Sequence, residues 1–252
     1  MIALKNLTKV FPTSDGREKR AVDDLTFRVE RGQIYGLLGP NGAGKTTTLR
    51  MLSGLMAPTG GTATLAGFDV ATQTQQVKRS IGFLTANTGL YQRLTPREVL
   101  RYFAELHGLE PETAKRRTEQ LIEWFEITDF ADLRCGALST GQKQRTNIAR
   151  ALVGDPPILI LDEPTLGLDV LSNRVILDFI RREHTEGKTI ILSTHYLDEA
   201  ETMCDMIGLL HNGKLIAEGT LDVLRDLTGC ERLSSIFLKL VRDAGPAKAT
   251  VK

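Results

Sequence analysis

The run Gly39-Pro40-Asn41-Gly42-Ala43-Gly44-Lys45-Thr46 fits the spacing G-x-x-x-x-G-K-[ST], and Thr47 follows it. Glycines so spaced let the backbone fold tightly enough to aim successive N–H groups at one anion. A helix opening at Lys45 adds the positive end of its dipole to the same anion. Lys45 then reaches the β- and γ-phosphates of a nucleotide, and the Thr46 hydroxyl ligates Mg²⁺. Gripping phosphate is the chemistry this run can do.

A second cluster could supply the hydrolysis. Ile158-Leu159-Ile160-Leu161-Asp162-Glu163 reads as a buried strand ending in two acids. Ligand groups gather at such strand ends in α/β sheets. Asp162 is expected to hold Mg²⁺, directly or through water, and Glu163 to act as general base on the attacking water. Standing alone, two acids at a strand end would be an ordinary solvated feature; beside a phosphate loop they gain a task. Leu138-Ser139-Thr140-Gly141-Gln142 is a short polar, glycine-containing stretch that opens a helix, again an anion-binding geometry. His195 follows the buried strand Thr189 to Ser193, which brings it to the same sheet edge. The other three histidines, His107, His184 and His211, have no evident role. No N-K-x-D guanine-reading motif is present, so a GTPase reading fails.

These residues need elements to hold them. Ile2 to Phe11 predicts a strand, Thr13 to Arg20 a polar turn, and the alternation of Leu25, Phe27 and Val29 a half-buried strand. Gln33 to Leu38 is a short apolar strand that runs into the glycine-rich loop, and Lys45 to Leu55 a helix closed by Gly54 and Pro58. From Thr95 to about Arg134 the pattern is helical. Thr95-Pro96-Arg97-Glu98 offers an N-cap, a proline at the first helical position and a capping-box glutamate. Val99, Leu100, Phe103 and Leu106 mark one face of that helix. Pro111 to Phe125 predicts the next, with Leu121, Ile122 and Phe125 inward. Helices from Gly141 to Val153 and from about Ser172 to His184 alternate with the strands Ile158 to Leu161 and Thr189 to Ser193. Buried apolar strands alternating with helices imply an α/β fold with a mostly parallel, doubly covered sheet. An antiparallel β portion precedes it, and a helical insertion at about residues 88–150 interrupts it. Residues 1–230 make one domain in this reading, and 231–252 a C-terminal helix and a fraying tail.

Composition narrows the class further. The 252 residues are 41% hydrophobic and 25% charged, as in an ordinary globular protein. Lys plus Arg number 32 against 31 for Asp plus Glu, so no basic excess points to nucleic acid. Cys135, Cys204 and Cys230 are odd in number and fit no disulfide or zinc spacing, which implies reduced thiols. The start MIALKNLTKVF has no signal-peptide pattern, and no apolar run is long enough to span a bilayer. A membrane role therefore has to come through a partner.

Phosphate loop, LSTGQ, ILILDEP and the later His195, in that order and spacing, resemble the nucleotide-binding subunit of an ABC transporter over about residues 2 to 228. Leu168-Asp169 resembles the short loop that follows the acidic pair in that family. The resemblance implies a P-loop ATPase that binds ATP and Mg²⁺. Two copies would pair head to tail around two nucleotides, at the cytoplasmic face of a membrane, docked on a separate transmembrane permease subunit. It also implies that Ser139 and Gly141 contact the γ-phosphate held by the opposite protomer, that His195 senses that phosphate, and that Asp169 links the two sites. Phe11 sits where the family places an aromatic that stacks on adenine; a buried strand phenylalanine is the other reading.

Two positions depart from the family pattern. Thr140 stands where glycine is commoner. In Ile81-Gly82-Phe83-Leu84-Thr85-Ala86-Asn87, Ala86 aligns with the usual glutamine that contacts magnesium and water, and Asn87 replaces it only with a shift of one residue. FLTANTGLYQRLTPREVL and STHYLDEAETMCD resemble exporter subunits, the sodium-extrusion type among them; drugs, lipids and polysaccharides are the other cargoes. Since the sequence ends soon after the ATPase core, the expectation is a chain without the extra C-terminal domain of some importer ATPases. Two alternatives stand beside this one: a soluble ABC-type ATPase of an assembly complex, such as one for iron–sulfur clusters, and a nucleotide-gated regulator with little turnover. The Asp162-Glu163 pair and His195 argue against the last.

Overall fold

The computed structural model describes residues 1–13, 16–85 and 89–243. Alternating residues build Ile2–Pro12 (β1) and Glu18–Val29 (β2), which pair antiparallel with Ile2 opposite Val29. Leu25, Phe27 and Val29 are buried, as their alternation requires. Ile34–Leu38 (β3) is buried throughout and delivers the chain to the glycine-rich loop, after which Lys45–Leu52 (α1) begins. That helix ends short of the expected Leu55 because a Schellman closure forms. Gly54, at φ 66°, donates its N–H to the Met51 carbonyl at 3.1 Å, and Leu55 donates to the Arg50 carbonyl at 3.0 Å.

Gly60–Leu65 (β4) and Phe68–Asp69 (β5) complete a four-stranded antiparallel sheet in the order β2-β1-β4-β5. Thr74–Arg79 (α2) leads into Ile81–Leu84 (β6). Then Pro96–Leu106 (α3), Pro111–Trp124 (α4) and Thr140–Leu152 (α5) are inserted before the chain returns to strand. The capping box of α3 is formed. Glu98 N–H donates to the Thr95 hydroxyl oxygen at 3.2 Å, and Thr95 N–H to the Glu98 carboxylate at 2.8 Å. Val99 and Leu100 are buried, but Leu106 is 67% exposed, against expectation. Buried Ala104 is the inward residue of that last turn, and two residues further on Leu106 points about 160° away from it.

The remaining elements are Ile158–Asp162 (β7), Val170–Thr185 (α6), Thr189–Thr194 (β8), Leu197–Met203 (α7), Met206–His211 (β9), Lys214–Gly219 (β10), Leu221–Thr228 (α8) and Leu233–Asp243 (α9). The second sheet runs β10-β9-β3-β8-β7-β6, parallel except for the β9–β10 pair. Its inner strands β3, β7 and β8 are buried throughout because both faces are covered. Ile158 and Ile160 of β7 join Tyr35, Leu37 and Ile191 against the antiparallel sheet. Leu159 and Leu161 join Ile34, Ile190 and Leu192 against the inserted helices. In register, Leu38 lies beside Thr194 and Ser193 beside Asp162, so β3, β7 and β8 end at one edge. Among the described residues no helix is long and apolar enough to cross a membrane.

Candidate active site

The loop after β3 is shaped by close approach. A Cβ on Gly39 would lie 2.2 Å from the Leu210 carbonyl oxygen of β9, so only glycine fits there. Gly44 is left-handed at φ 109° and would press a Cβ to 2.5 Å from the Ala21 carbonyl oxygen. The turn after β9 braces the loop from behind, with Gly213 N–H donating to the Ala43 carbonyl at 2.9 Å. Pro40, Asn41, Gly42, Ala43, Gly44, Lys45, Thr46 and Thr47 together line a cavity of about 580 Å³. That volume is in the range of small-molecule sites. Phe11 stands at its mouth, half-buried rather than in the core, with Lys9 Nζ 5.3 Å from its ring centroid.

Across the loop lies the end of β7. Lys45 is buried and folds back over its own loop, with Nζ donating to the Gly39 carbonyl at 2.6 Å. The same ammonium lies 3.2 Å from Glu163 Oε1. Thr46 Oγ1 donates to Asp162 Oδ1 at 3.1 Å, and Ser193 Oγ donates to the same oxygen at 2.6 Å. Asp162 is 1% exposed and its other oxygen, Oδ2, has no hydrogen-bond partner. A buried carboxylate oxygen without a partner is costly unless something positive meets it. Together with the Thr46 hydroxyl, this is a hard-oxygen donor set that suits Mg²⁺.

Glu163 is the strained member, at φ 50° in the left-handed region that non-glycine residues avoid. Its N–H donates to the Ser193 carbonyl at 3.0 Å and lies 3.1 Å from the Ser193 hydroxyl, which fixes the turn. His195 Nδ1 is 2.7 Å from Glu163 Oε2. A carboxylate only accepts, so Nδ1 carries the proton and Nε2 is left to face outward. Lys45 and His195 thus hold the two oxygens of one carboxylate. Sequence reasoning read Ser193 only as a strand end; no spacing motif marks a hydroxyl whose importance lies in its register beside Asp162.

Ser139, Gly141 and Gln142 are not brought to this cavity within the chain. Ser139 is exposed and caps α5; Gln142 N–H donates to its hydroxyl oxygen at 3.3 Å, and the Gln142 side chain accepts from Ser139 N–H at 2.9 Å. Gly141 instead meets the start of α6, where a Cβ would come within 2.5 Å of Ser172 Oγ and 3.4 Å of Asp169 Oδ2. Asp169 caps α6, accepting from the N–H groups of Ser172 at 2.9 Å and Leu171 at 3.0 Å. The Ser172 N–H and hydroxyl, with help from Leu171, hold its carboxyl below the usual carboxylate range. Two contacts that the sequence does not announce join this region to the acidic strand end. Gln144 Nε2 donates to the Pro164 carbonyl at 2.8 Å, and Glu199 accepts from both Thr165 and Asn173 at 2.9 Å. Ala86 and Asn87 lie outside the described residues. Of the remaining histidines, His184 pairs with Asp205 at 3.2 Å and His107 packs over Gly154; none lines the cavity.

The family model described as "ABC transporter" matches residues 22–166, more than half of the chain. The chain is 41% identical to the ABC transporter ATP-binding protein NatA of Bacillus subtilis over 96% of its length and 99% of that protein. It is 38% identical to the Nod factor export ATP-binding protein I of Burkholderia lata, over 93% of its length and 75% of that protein. Among solved structures it is similar to a dimeric ATP-binding cassette in a post-hydrolysis state with ADP and Pi, with a TM-score of 0.80 and 27% identity. That match covers 87% of this chain and 98% of the other.

Proposed function

The chain belongs to the ABC transporter family as an ATP-binding subunit, and from that premise we propose that it hydrolyses ATP between its phosphate loop and Glu163 to drive export through a separate membrane-spanning partner. One observation carries the chemistry: at the cavity's edge the buried loop lysine pairs with a Glu163 that His195 also holds, and Thr46 bonds the Asp162 carboxylate whose other oxygen is bare. ATPase activity is the family's work; the residue roles follow from this geometry.

The loop N–H groups and the α1 dipole bind the phosphates, and Lys45 turns from Glu163 toward the β- and γ-oxygens. Losing the lysine frees one oxygen of Glu163 to take a proton from water. His195 keeps the other oxygen in place and offers Nε2 to the γ-phosphate. Thr46 and Asp162 would hold Mg²⁺, which supplies charge neutralisation on the phosphate oxygens when bound. Phe11 provides a face for adenine at the mouth. Ser139 and Gly141, turned away from their own cavity, complete that of a second protomer; Asp169, beside Gly141, couples the two. Residues 1–230 act as the ATPase unit, with the inserted helices toward the membrane.

Export is supported by the relative named for Nod factor export and by the exporter-like stretches around Leu84 and His195. Sodium is the first cargo to assay, since those stretches resemble the sodium-extrusion type. The test is co-purification of the tagged chain from gently solubilised host membranes. A multi-span protein in stoichiometric amount is expected, and its proteoliposomes with this chain should move cargo outward on MgATP. Recovery with soluble proteins alone would overturn the transporter role and turn the reading to an assembly-complex ATPase.

A further inference from the structure

The helix that follows His195 has only seven residues, and Tyr196 at its start forms no side-chain cap. A helix so short is unstable by itself, so its neighbours decide how it sits. Its seating matters because His195, at its entrance, keeps Nδ1 on Glu163. Ala200 and Met203 are buried and anchor one side of α7 in the core. Glu199 reaches out from the first turn, four residues after His195. Its Oε2 accepts from the Thr165 hydroxyl and its Oε1 from Asn173 Nδ2, both at 2.9 Å.

The two donors belong to the stretch of chain that the proposed chemistry needs held. Thr165 is 2% exposed and lies two residues beyond Glu163. Its turn is closed by Leu166 N–H on the Glu163 carbonyl at 3.2 Å and Leu168 N–H on the Thr165 carbonyl at 3.3 Å. Asn173 lies one helical turn beyond Asp169, and its N–H donates to the Asp169 carbonyl at 2.9 Å. Glu199 therefore ties both ends of segment 163–169 to the helix that begins beside His195. Among the described residues no lysine or arginine pairs with its carboxylate. Neutral donors fix a carboxylate by direction and distance rather than by charge.

We propose that Glu199 is a positioning residue for ATP hydrolysis, its two bonds locking the turn that carries His195 against segment 163–169. The inference rests on the roles proposed above for Glu163 and His195 and adds the residue that keeps them in register. Were Glu199 only glue between α6 and α7, its loss would lower stability and leave turnover per folded molecule unaltered. Positioning instead requires a loss in kcat with KM for ATP unchanged, since Glu199 does not line the nucleotide cavity. Glutamine should restore what alanine loses, because it carries an acceptor and a donor in the same fork. Its Oε1 can accept from Thr165. Its Nε2 can donate to Asn173 Oδ1, a buried atom without a partner, once that amide turns over.

The test is hydrolysis of MgATP by the full-length chain, with the melting temperature read for every variant. Glu199→Ala is expected to lower kcat about ten- to a hundredfold with KM within about twofold, and Glu199→Gln to return to within about threefold of wild type. Thr165→Val keeps the shape and removes one donor, so it should lose part of the same factor with a near-native melting temperature. In a His195→Ala chain, adding Glu199→Ala should slow single-turnover hydrolysis less than about threefold, because the residue acts through a ring no longer present. Three results overturn the inference and leave the ATPase reading standing. These are a full further loss in the His195→Ala chain, a glutamine variant as slow as alanine, or wild-type kcat in both Glu199→Ala and Thr165→Val. A wild-type chain that does not hydrolyse ATP, or a His195→Ala chain as fast as wild type, overturns the proposed chemistry as well.

Discussion

Glu163 is pulled on by three neighbours at once: the Lys45 ammonium at 3.2 Å, the His195 ring at 2.7 Å, and the Ser193 contacts that keep its backbone at φ 50°. A left-handed non-glycine residue costs about 1–3 kcal/mol, a strain that persists only where surrounding bonds enforce it. Here the enforced conformation aims the carboxylate at the phosphate loop rather than into the sheet. Glu163→Gln keeps the shape and removes the basicity. Single-turnover hydrolysis should fall by about 10²–10⁴-fold while nucleotide affinity, read by fluorescence titration, stays within a few-fold. Unaltered hydrolysis would remove Glu163 from the role of base. Lys45→Ala should instead abolish tight nucleotide binding, because the buried charge that meets the β- and γ-phosphates is lost. At this scale the sequence was informative, since G-x-x-x-x-G-K-[ST] and the apolar strand ending in Asp-Glu are spacing signals. It was silent on Ser193, whose hydroxyl reaches Asp162 at 2.6 Å only because β7 and β8 pair in that register.

The elements carry a different balance between what pattern reveals and what only packing decides. Long strongly signalled pieces are legible: the Thr95 capping box is made, and β3, β7 and β8 are the continuous apolar runs of a doubly covered sheet. Short pieces such as β4, β5 and α2 give too few inward residues for any period to show, and neighbours rather than propensity hold them. Leu106 marks the same limit, since periodicity assigns a face but not where that face stops being covered. The join of α5 to α6 is the element contact with most consequence. A methyl group at position 141 would sit 2.5 Å from Ser172 Oγ, so Gly141→Ala should overpack the join by about 1–3 kcal/mol and lower the melting temperature by several degrees. Adding Ser172→Ala removes the nearest atom, and calorimetry of the double variant should recover most of that loss. If it does not, the clash lies elsewhere in the α5–α6 contact.

On the scale of the whole molecule, the two groups of residues proposed to share one site do not meet within the chain. The phosphate loop, Asp162, Glu163 and His195 converge at the ends of β3, β7 and β8, whereas Ser139 stands exposed at the tip of the inserted helices with its hydroxyl engaged only in its own cap. Exposed Val170 and Leu171 follow Asp169, at 85% and 76%, an apolar surface beside that tip which a monomer leaves in water. Dimeric cassettes occur among the structural relatives, and a head-to-tail pair would bring Ser139 to the partner's nucleotide while covering those side chains. In that proposed pair ATP would act as the glue, its γ-phosphate reached from both sides. Hydrolysis would remove the glue and let the pair open, converting phosphate chemistry into movement at the inserted helices. The Glu163→Gln chain should therefore double in mass by light scattering when MgATP is added and stay monomeric with MgADP. Adding Ser139→Ala to that chain should weaken the ATP-dependent pair without loosening nucleotide from the monomer. A monomer at saturating MgATP, at protein concentrations well into the micromolar range, would mean that the Ser139–Gln142 stretch does not reach a second chain's nucleotide, and the two-site model would fall with it.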